Sequence, residues 1–314
     1  MKIAILHYPR VMTSAVFGIQ EMLEVANRYL QGAAFRGFDP YVVTTLGAEG
    51  PAMVNAIPMV VDADVADVVI IPPSLMDSAR IEADSQTVAW LTVQAEHGAT
   101  LCSVCAGAFL LAEAGLLDGH VATTHWALAS VFRHRYPNTH LRVEEMIVDE
   151  GNRITAGGVT AYLDLTLHLI RRYAGERVAR QVGSHFLIDH RGRRQSAYQR
   201  FLPDTNHGDM VLARAQQILE RDFRKALRIG ALASEAGVSE RTLLRRFRNV
   251  LGLTPVQYLQ ALRLERAREL LESSRDSVDR ITQRVGYEDV SSFRRLFKHA
   301  TGVSPAEYRR KFAA

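Results

Sequence analysis

One pattern of residues occurs twice in the last third of the chain, about 50 positions apart, and it limits the possible folds more than any other feature. Its members are aromatic residues, a glycine and a proline, which pair as Phe247 with Phe297, Gly252 with Gly302, Pro255 with Pro305 and Tyr258 with Tyr308. A solenoid needs at least three stacked units. The sequence therefore predicts a tandem pair of one small unit within residues 227–312.

Each copy has the pattern of a short helix, a tight turn and a second helix. In the first copy, Gly237 can adopt the left-handed conformation that ends a helix, and Ser239 can cap the helix that follows. In the second copy, Gly286 takes the turn position and Asp289 takes the cap position. These signals predict two helix-turn-helix motifs.

The second helix of each copy has an apolar face and a polar, cation-rich face. Helical spacing predicts that the apolar faces are buried, and they carry Leu243, Phe247 and Val250 in one helix and Phe293, Phe297 and Ala300 in the other. We expect the opposite faces to be exposed and to bind DNA, and they carry Arg241, Leu244, Arg245, Arg248, Ser291, Ser292, Arg294, Arg295 and Lys298.

Such a helix fits the major groove of double-stranded DNA, where Arg can bond guanine bidentately, Ser can bond base edges and Leu can contact a thymine methyl. We expect the base contacts to come from Arg241, Leu244, Arg245, Ser291, Ser292 and Arg295. Arg248 and Lys298, further along each helix, would bind phosphates. The alternative is a solvated face without a partner, but the duplication of the pattern favours DNA binding.

This region resembles the DNA-binding domain of AraC-type transcription regulators over about 100 residues. The resemblance rests on a characteristic C-terminal run, which here is Gly286-Tyr287, Phe293-Arg294-Arg295-Leu-Phe297 and Gly302-Val-Ser-Pro305-Ala-Glu-Tyr308-Arg309. It implies two subdomains joined by a long helix, here near residues 253–274. It also implies that the two recognition helices enter successive major grooves about 34 Å apart.

Charge is divided unevenly along the 314 residues. Residues 208–314 hold 21 Lys and Arg against 13 Asp and Glu, a net charge of +8, whereas residues 1–207 hold 17 against 21, a net charge of −4. The part with the duplicated motif is therefore the basic one, as neutralisation of phosphates requires. The length and a hydrophobic content of 47% predict two packed domains.

Only two cysteines are present, Cys102 and Cys105, and the sequence shows no signal peptide and no apolar run long enough to span a bilayer. We therefore expect a reduced, cytoplasmic protein with no membrane partner. A C-x2-C pair can bind zinc, but zinc needs two further ligands and the chain has no second pair. We expect neither a metal nor a cofactor.

The N-terminal part alternates β-branched strands with amphipathic helices. Predicted strands lie at KIAILHY, PYVVTTL, DVVIIPP and TLCSV, with helices at about residues 14–30, 84–97 and 106–114. Such alternation predicts an α/β fold with a mainly parallel sheet covered on both faces. A ligand site would then lie beyond the carboxyl ends of the strands.

Cys105 occupies the turn between a buried strand and a helix, and Gly107 allows close packing there. A thiol beside a helix N-terminus would have a lowered pKa and could help to bind an anion. The alternative is a small buried cysteine in a tight turn, with no chemical role.

These residues resemble the amidase-like domain of the DJ-1/PfpI superfamily, which is flavodoxin-like and related to class I glutamine amidotransferases. More narrowly, the chain resembles the GlxA-type AraC regulators, through Ser103-Val-Cys105-Ala-Gly107, Ala114-Gly115-Leu-Leu-Asp118-Gly119, Thr124-His125-Trp126, Thr155-Ala-Gly157 and the segment Arg191 to Gln195. The resemblance covers nearly the whole chain and implies that this domain is fused ahead of the DNA-binding one.

The sequence departs from the hydrolytic members of the superfamily at two places. Those enzymes often have His after the elbow cysteine and an acid in the first strand-helix loop, whereas here Ala106 follows Cys105 and the loop MTSAVFG has no carboxylate before Glu21. A cysteine nucleophile without an oriented base lacks its usual partner. We therefore expect no catalytic residue and no enzyme activity.

We expect residues 1–190 to form a sensor and dimerisation domain, 191–208 a linker and 209–314 the DNA-binding domain. The resemblance implies a homodimeric, ligand-responsive transcription regulator, an activator that would act with RNA polymerase, and a small nitrogenous metabolite as its effector. The effector site would include Ser14, Ser74, Cys105, His125 and Trp126. Two alternatives stay open: the first domain is an active cysteine hydrolase, or it only dimerises.

Overall fold

The computed structural model describes residues 1–30, 35–45, 56–58, 65–75, 81–188, 194–205 and 207–313. The chain forms two compact units, Met1–Gln195 and Ser196–Ala314. The expected domain limits, 190 and 209, fall on either side of this division, and the expected linker lies partly outside the described residues. Each unit is considered by itself.

The described residues of the first unit form a seven-stranded sheet. Its strands are β1 (Lys2–His7), β2 (Asp39–Thr44), β3 (Ala56–Pro58), β4 (Val68–Ile71), β5 (Thr100–Val104), β8 (Ile147–Asp149) and β9 (Arg153–Ala156), and β6 (Val121–Ala122) and β7 (His140–Leu141) form a separate parallel pair. The order across the sheet is β3-β2-β1-β4-β5-β9-β8. Every pairing is parallel except that of β8 with β9. The predicted α/β class is confirmed.

Helices connect these strands and cover them. They are α1 (Thr13–Arg28), α2 (Ser85–Glu96), α3 (Ala108–Glu113), α4 (Ala129–Arg135), α5 (Ala161–Ala174) and α6 (Glu176–His185). Every residue of β4 and β5 is buried, as expected for central strands of a parallel sheet covered on both faces. The inward face of α1 carries Val16, Ile19, Leu23 and Ala26, which are fully buried.

The second unit is all helical, as predicted. Its helices are α7 (Met210–Asp222), α8 (Ile229–Ala236), α9 (Glu240–Arg246), α10 (Pro255–Ser273), α11 (Val278–Arg284), α12 (Val290–Thr301) and α13 (Pro305–Phe312). One hydrophobic core joins α7, α8, α9 and the start of α10, and a second joins the end of α10 to α11, α12 and α13. The two helix-turn-helix subdomains therefore share α10.

The duplicated residues play the same structural part in both copies. Gly252 and Gly302 adopt left-handed backbone angles, φ 67° and φ 77°, after the recognition helices. A capping box then starts the next helix, from Thr254 with Gln257 and from Ser304 with its glutamate three residues later. The repeat in the sequence is thus a repeat in helix ends and helix starts.

One predicted buried residue is exposed. Leu243 and Phe247 are fully buried, but Val250 is 40% exposed. The α-helix stops at Arg246 and the chain continues as one wide turn, Phe247–Leu251, with π-type hydrogen bonding. A π-turn holds more residues than an α-turn, so positions after it no longer follow the 3.6-residue stripe. In α12, Phe293 and Phe297 are fully buried and Ala300 is partly buried.

The two subdomains also meet at Gly286, next to the second turn. Its φ is 86°, and a Cβ there would lie 2.7 Å from the carbonyl oxygen of Arg224, so no side chain fits. Arg263 on α10 reinforces this contact, because its Nε donates to the carbonyl oxygen of Phe223 at 2.6 Å. The Arg263 guanidinium also lies 5.2 Å from the ring centroid of Tyr287.

Among the described residues, no helix combines the length and apolarity that crossing a bilayer requires. The described residues likewise contain no group of three His, Cys, Asp or Glu side chains placed to hold a metal ion.

We expect Gly107→Ala to destabilise the first unit by about 1–3 kcal/mol, the range for overpacking. A Cβ at this position would lie 2.7 Å from the backbone oxygen of Ile71, which cannot move without distorting β4. Urea unfolding followed by tryptophan fluorescence measures this unit alone, since both tryptophans, Trp90 and Trp126, belong to it.

Gly18→Ala is the matched control. Its Cβ would meet only the outer ring atoms of Tyr162, at 2.8 Å, which can swing away, and alanine favours a helix interior over glycine by about 1 kcal/mol. Equal losses of stability in the two variants would contradict the close approach at Gly107.

Candidate DNA-binding surface and effector site

The start of each recognition helix is fixed by a capping side chain. In α9, the Ser239 hydroxyl accepts a hydrogen bond from the Thr242 backbone N–H at 3.3 Å. In α12, the Asp289 carboxylate accepts from the backbone N–H groups of Ser291 at 3.3 Å and Ser292 at 2.7 Å. Bonds from the Ser292 side chain and backbone hold the pKa of Asp289 below its ordinary value. The predicted caps are therefore confirmed.

All nine predicted DNA-binding side chains are exposed, in contrast to the phenylalanines on the opposite faces of the same helices. They are Arg241, Leu244, Arg245, Arg248, Ser291, Ser292, Arg294, Arg295 and Lys298. Arg248 lies in the wide turn that follows α9 rather than in the helix itself. Six of the nine carry a positive charge. Each subdomain thus presents an accessible cationic face.

Some arginines of these helices are bound to carboxylates. Arg246, next to Arg245, donates to both Asp209 oxygens at 2.7 Å and so fastens α9 to the cap of α7. Arg294 pairs with Asp279 at 3.1 Å. Arg295 donates to the Ser292 hydroxyl at 3.2 Å, which joins two of the predicted base-contacting side chains. The surface is therefore partly ordered by bonds within the subdomain.

In the first unit, Cys105 forms the predicted elbow after β5. Its φ is 54°, a left-handed value that is uncommon for a residue with a side chain. Its carbonyl oxygen accepts a hydrogen bond from the Thr124 hydroxyl at 2.7 Å. This bond ties the loop that carries His125 and Trp126 to the elbow.

The predicted lowering of the Cys105 pKa is wrong. The side chain is only 3% exposed, and burial raises the pKa of the thiol to about 12, although the Ala106 backbone N–H bonds the sulfur and opposes the shift. Removal of water disfavours the thiolate more than one backbone dipole favours it. Burial also raises the pKa of Cys102. Neither thiol is a reactive thiolate at neutral pH.

The other predicted effector-site residues differ in exposure. Ser14 is exposed, and Ser74 is buried with its hydroxyl donating to the Arg10 carbonyl oxygen at 2.9 Å. His125 and Trp126 are half-buried, with ring centroids 5.3 Å apart. Cys105 comes directly after β5 and Ser74 comes three residues after β4, and these two strands are paired neighbours.

The electrostatic state of His125 follows from two contacts. Its Nδ1 accepts a hydrogen bond from the backbone N–H of Ala127 at 3.1 Å, and burial lowers its pKa. An accepting Nδ1 belongs to the neutral ring with its proton on Nε2. His125 is thus a neutral hydrogen-bond donor rather than an imidazolium.

Gln195, which the sequence places in the resembling segment and in the expected linker, also supports this site, a role that sequence reasoning missed. Its side chain is buried; Nε2 donates to the carbonyl oxygens of Thr124 at 2.9 Å and Glu145 at 3.0 Å, and Oε1 accepts from the Trp126 backbone N–H at 3.3 Å. A Cβ on Gly157 would lie 1.8 Å from this amide, so the glycine makes room for it. No local pattern signals these bonds, because the partners lie 50 to 71 positions away.

Comparison with known proteins finds a matching family model in each of the two units. Residues 41–172 match the model of the DJ-1/PfpI family, and residues 232–311 match that of a helix-turn-helix domain. The HTH-type transcriptional regulator GlxA of Rhizobium meliloti is 31% identical over 71% of this chain and 71% of its own length. The HTH-type transcriptional regulator CdhR of Pseudomonas aeruginosa is 36% identical over 71% of this chain and 66% of its own.

The chain belongs to the family of HTH-type transcriptional regulators that join a DJ-1/PfpI domain to an AraC-type helix-turn-helix domain.

Two further comparisons qualify what membership implies. A crystal structure of a Vibrio parahaemolyticus protein assigned to transcriptional regulation covers 60% of this chain and 98% of its own, with a TM-score of 0.51 at 23% identity, which shows a common fold. Isonitrile hydratase of Pseudomonas putida is 35% identical over 38% of this chain and 51% of its own, so relatives of the first domain include an enzyme. The chain spans 60–66% of the length of the first regulators that it matches.

We expect Cys105 to alkylate slowly in the folded protein. With a pKa of about 12, about one thiol in ten thousand is ionised at pH 8, against about one in ten for an ordinary thiol with a pKa of 9. Iodoacetamide labelling of a Cys102→Ala variant isolates Cys105, and the rate should rise about tenfold per pH unit from 8 to 11 without a plateau.

The same variant unfolded in guanidinium is the control, where labelling should be fast and should level off at about pH 10. Labelling of the folded chain at the unfolded rate would contradict a protonated, buried thiol.

Proposed function

We propose that this protein is a sequence-specific DNA-binding transcription regulator, an activator, whose first unit responds to a small nitrogenous metabolite. The observation that carries the DNA-binding part is the duplication of one surface: two capped helices, each anchored by buried apolar side chains and each exposing cations on its outer face. Two such helices match two successive turns of the major groove.

The exposed side chains divide into base-reading and phosphate-binding groups. Arg241 and Arg245 in the first turns of α9, and Arg295 beside Ser292 in α12, would contact base edges. Arg248 and Lys298 lie near the helix ends and would bind phosphates. Arg294 would exchange Asp279 for phosphate, which costs little because a surface ion pair contributes at most about 1 kcal/mol.

The chemistry around the elbow supports a nitrogenous effector. His125 is neutral, and its ring lies beside the half-buried Trp126 ring. An aromatic face attracts an ammonium or guanidinium group through its quadrupole, and more strongly when water is excluded. The buried Ser74 and Cys105 side chains at the neighbouring strand ends would face the less polar part of the molecule. An amino acid or quaternary amine fits this combination.

A cysteine hydrolase is the second candidate, since isonitrile hydratase is among the relatives of the first domain. The protonation states argue against it. The thiol of Cys105 has a pKa of about 12, and the Nδ1 of His125 already accepts a bond from Ala127 within its own turn. A nucleophilic cysteine needs a lowered pKa or a base positioned to take its proton. A first unit that only dimerises would give no response to any metabolite.

We also propose that the regulator acts as a homodimer in the cytoplasm and contacts RNA polymerase at its promoter. One chain offers two recognition helices, which gives modest affinity by itself. Joining two chains through their first units would place four helices on repeated half-sites and raise the effective concentration of the second module.

Substitution of a base-reading arginine should change sequence preference. We expect Arg245→Ala to lose about 1–3 kcal/mol on a duplex selected from a random library by the full chain, and to relax the preference at one base pair. Gel-shift titration against single-base variants of that duplex measures both effects.

Arg248→Ala, three positions further on, is the comparison. It should weaken binding to all duplexes by the same factor. It should also reduce the slope of log affinity against log salt concentration by about one. If Arg245→Ala instead kept the wild-type ranking of the sequences, Arg245 would not be reading a base.

Effector binding should depend on the loop at the elbow. Thermal unfolding of the full chain with arginine, carnitine or glycine betaine should show stabilisation of about 2.7 kcal/mol for a ligand at one hundred times its dissociation constant. We expect His125→Ala and Trp126→Ala to abolish this shift.

His134→Ala provides a matched control, because His134 is an exposed histidine of α4 in the same unit. Retention of the full shift in His125→Ala and Trp126→Ala would place the effector elsewhere.

A further inference from the structure

Six residues that precede the first helix-turn-helix motif, Ser196–Phe201, lie along α10. They contact three charged side chains of that helix, Glu265, Arg268 and Glu272. Their spacing of three and four positions puts the three side chains on one face of α10. We call the segment Ser196–Phe201 the brace.

Arg268 fixes the backbone of the brace. Its side chain is only 7% exposed, and its guanidinium donates to the carbonyl oxygen of Ser196 at 3.3 Å and to that of Gln199. It also donates to Glu265 Oε2 at 3.0 Å. A planar guanidinium with several fixed donors holds its acceptors in one geometry. The brace is therefore held in place rather than merely adjacent to the helix.

Arg200 reaches both carboxylates of the same face. Its two terminal nitrogens donate to Glu265 Oε1 at 3.0 Å and to Glu272 Oε1 at 2.6 Å. Glu272 Oε1 also accepts from the Tyr308 hydroxyl at 2.7 Å. The Tyr308 ring lies against Phe297 of α12, with centroids 5.4 Å apart. Arg200 is thus linked to Phe297 of the second recognition helix by three successive contacts, through Glu272 and Tyr308.

Phe201 makes the corresponding contact in the first subdomain. Its backbone N–H donates to Glu265 Oε2 at 3.0 Å, and its ring meets Tyr258 edge-on at 5.1 Å. Tyr258 in turn meets Phe247, at the end of α9, at 5.8 Å. Tyr258 and Tyr308 are equivalent residues of the sequence repeat. The brace therefore contacts Tyr258 directly, through Phe201, and Tyr308 indirectly, through Arg200 and Glu272.

We propose that the brace sets the relative position of the two recognition helices, and so the spacing of the two DNA subsites that the chain accepts, with Arg200 as its positioning residue. The inference rests on the DNA-binding function proposed above. Each subdomain has its own core, so a rotation of one against the other about α10 is opposed by groups that span both. The brace spans them on one face of α10, and the contact of Arg263 with Phe223 and Tyr287 spans them on another.

A rigid link between two binding modules raises affinity only for targets whose spacing matches it. A looser link would lose affinity for the matched spacing and would tolerate others. The brace therefore predicts a change in spacing preference that is separate from any change in base preference.

The experiment uses the full chain and a duplex that the wild type selects from a random library. A second duplex has one base pair inserted between the two protected subsites, which separates them by about 3.4 Å and rotates them by about 34°. Arg200→Gln should reduce the wild-type preference for the selected duplex about five- to tenfold, because two charge-assisted bonds of the brace are lost. Affinity for the inserted duplex should fall much less.

Arg266→Gln is the matched control. Arg266 lies on α10 and also bonds a carboxylate of that helix, Glu269 at 2.8 Å, but this pair is exposed and lies outside the brace. Both substitutions remove one positive charge, so general attraction to phosphates falls equally. A second pair of variants, Glu272→Gln with Glu269→Gln as control, repeats the comparison from the α10 side.

Two results would overturn the proposal. The first is an Arg200→Gln variant that keeps the wild-type ratio of affinities for the two duplexes, whether neither affinity changes or both fall by the same factor, as a smaller folded fraction would cause. The second is a wild-type chain that selects no duplex at all, which would remove the proposed DNA-binding function and the brace with it. Loss of spacing preference in both Arg200→Gln and Glu272→Gln, with neither control affected, supports it.

Discussion

The second unit depends on one shared helix. Leu259 and Leu262 of α10 pack in the core of the first subdomain, and Leu264 and Leu271 pack in the core of the second. A helix of 19 residues is about 28 Å long, close to the 34 Å that separates successive major grooves on one side of DNA. Because a single stiff element joins the two cores, the positions of α9 and α12 follow from how each subdomain is rotated about it.

In the first unit, close packing at the elbow has a chemical consequence. The left-handed turn at Cys105 and the missing side chain at Gly107 let the chain pass within contact of Ile71 in β4. The same packing removes water from the thiol and raises its pKa. An elbow that would activate a cysteine if it were open thus keeps this one protonated. The Cys105 carbonyl oxygen also holds the loop at Thr124, which the buried Gln195 amide supports as well.

Sequence patterns predicted the features that depend on near neighbours. The caps Ser239 and Asp289 and the buried phenylalanines follow from spacing within one helix. The parallel sheet follows from the alternation of strands and helices along the chain. The helical spacing wrongly predicted that Val250 is buried. The change from α-helix to a π-turn at Phe247 moves the following residues out of the apolar face. Sequence patterns could not identify Gln195 or Arg200, because polar residues in a segment without periodicity predict a linker. Their partners lie 50 to 72 positions away, and only the folded chain brings them together.

The chemistry of the brace suits positioning better than stability. Burying an ion pair costs desolvation, and apolar residues of similar volume are often equally or more stabilising. Apolar contacts, however, are not directional, so a segment packed by them could slide along α10. The guanidinium of Arg268 instead bonds two particular carbonyl oxygens, and Arg200 bonds one oxygen of each of two carboxylates. Each of these bonds weakens steeply with misalignment. A network of this kind adds little net stability and permits one register, which is what a spacer between two DNA-reading helices requires.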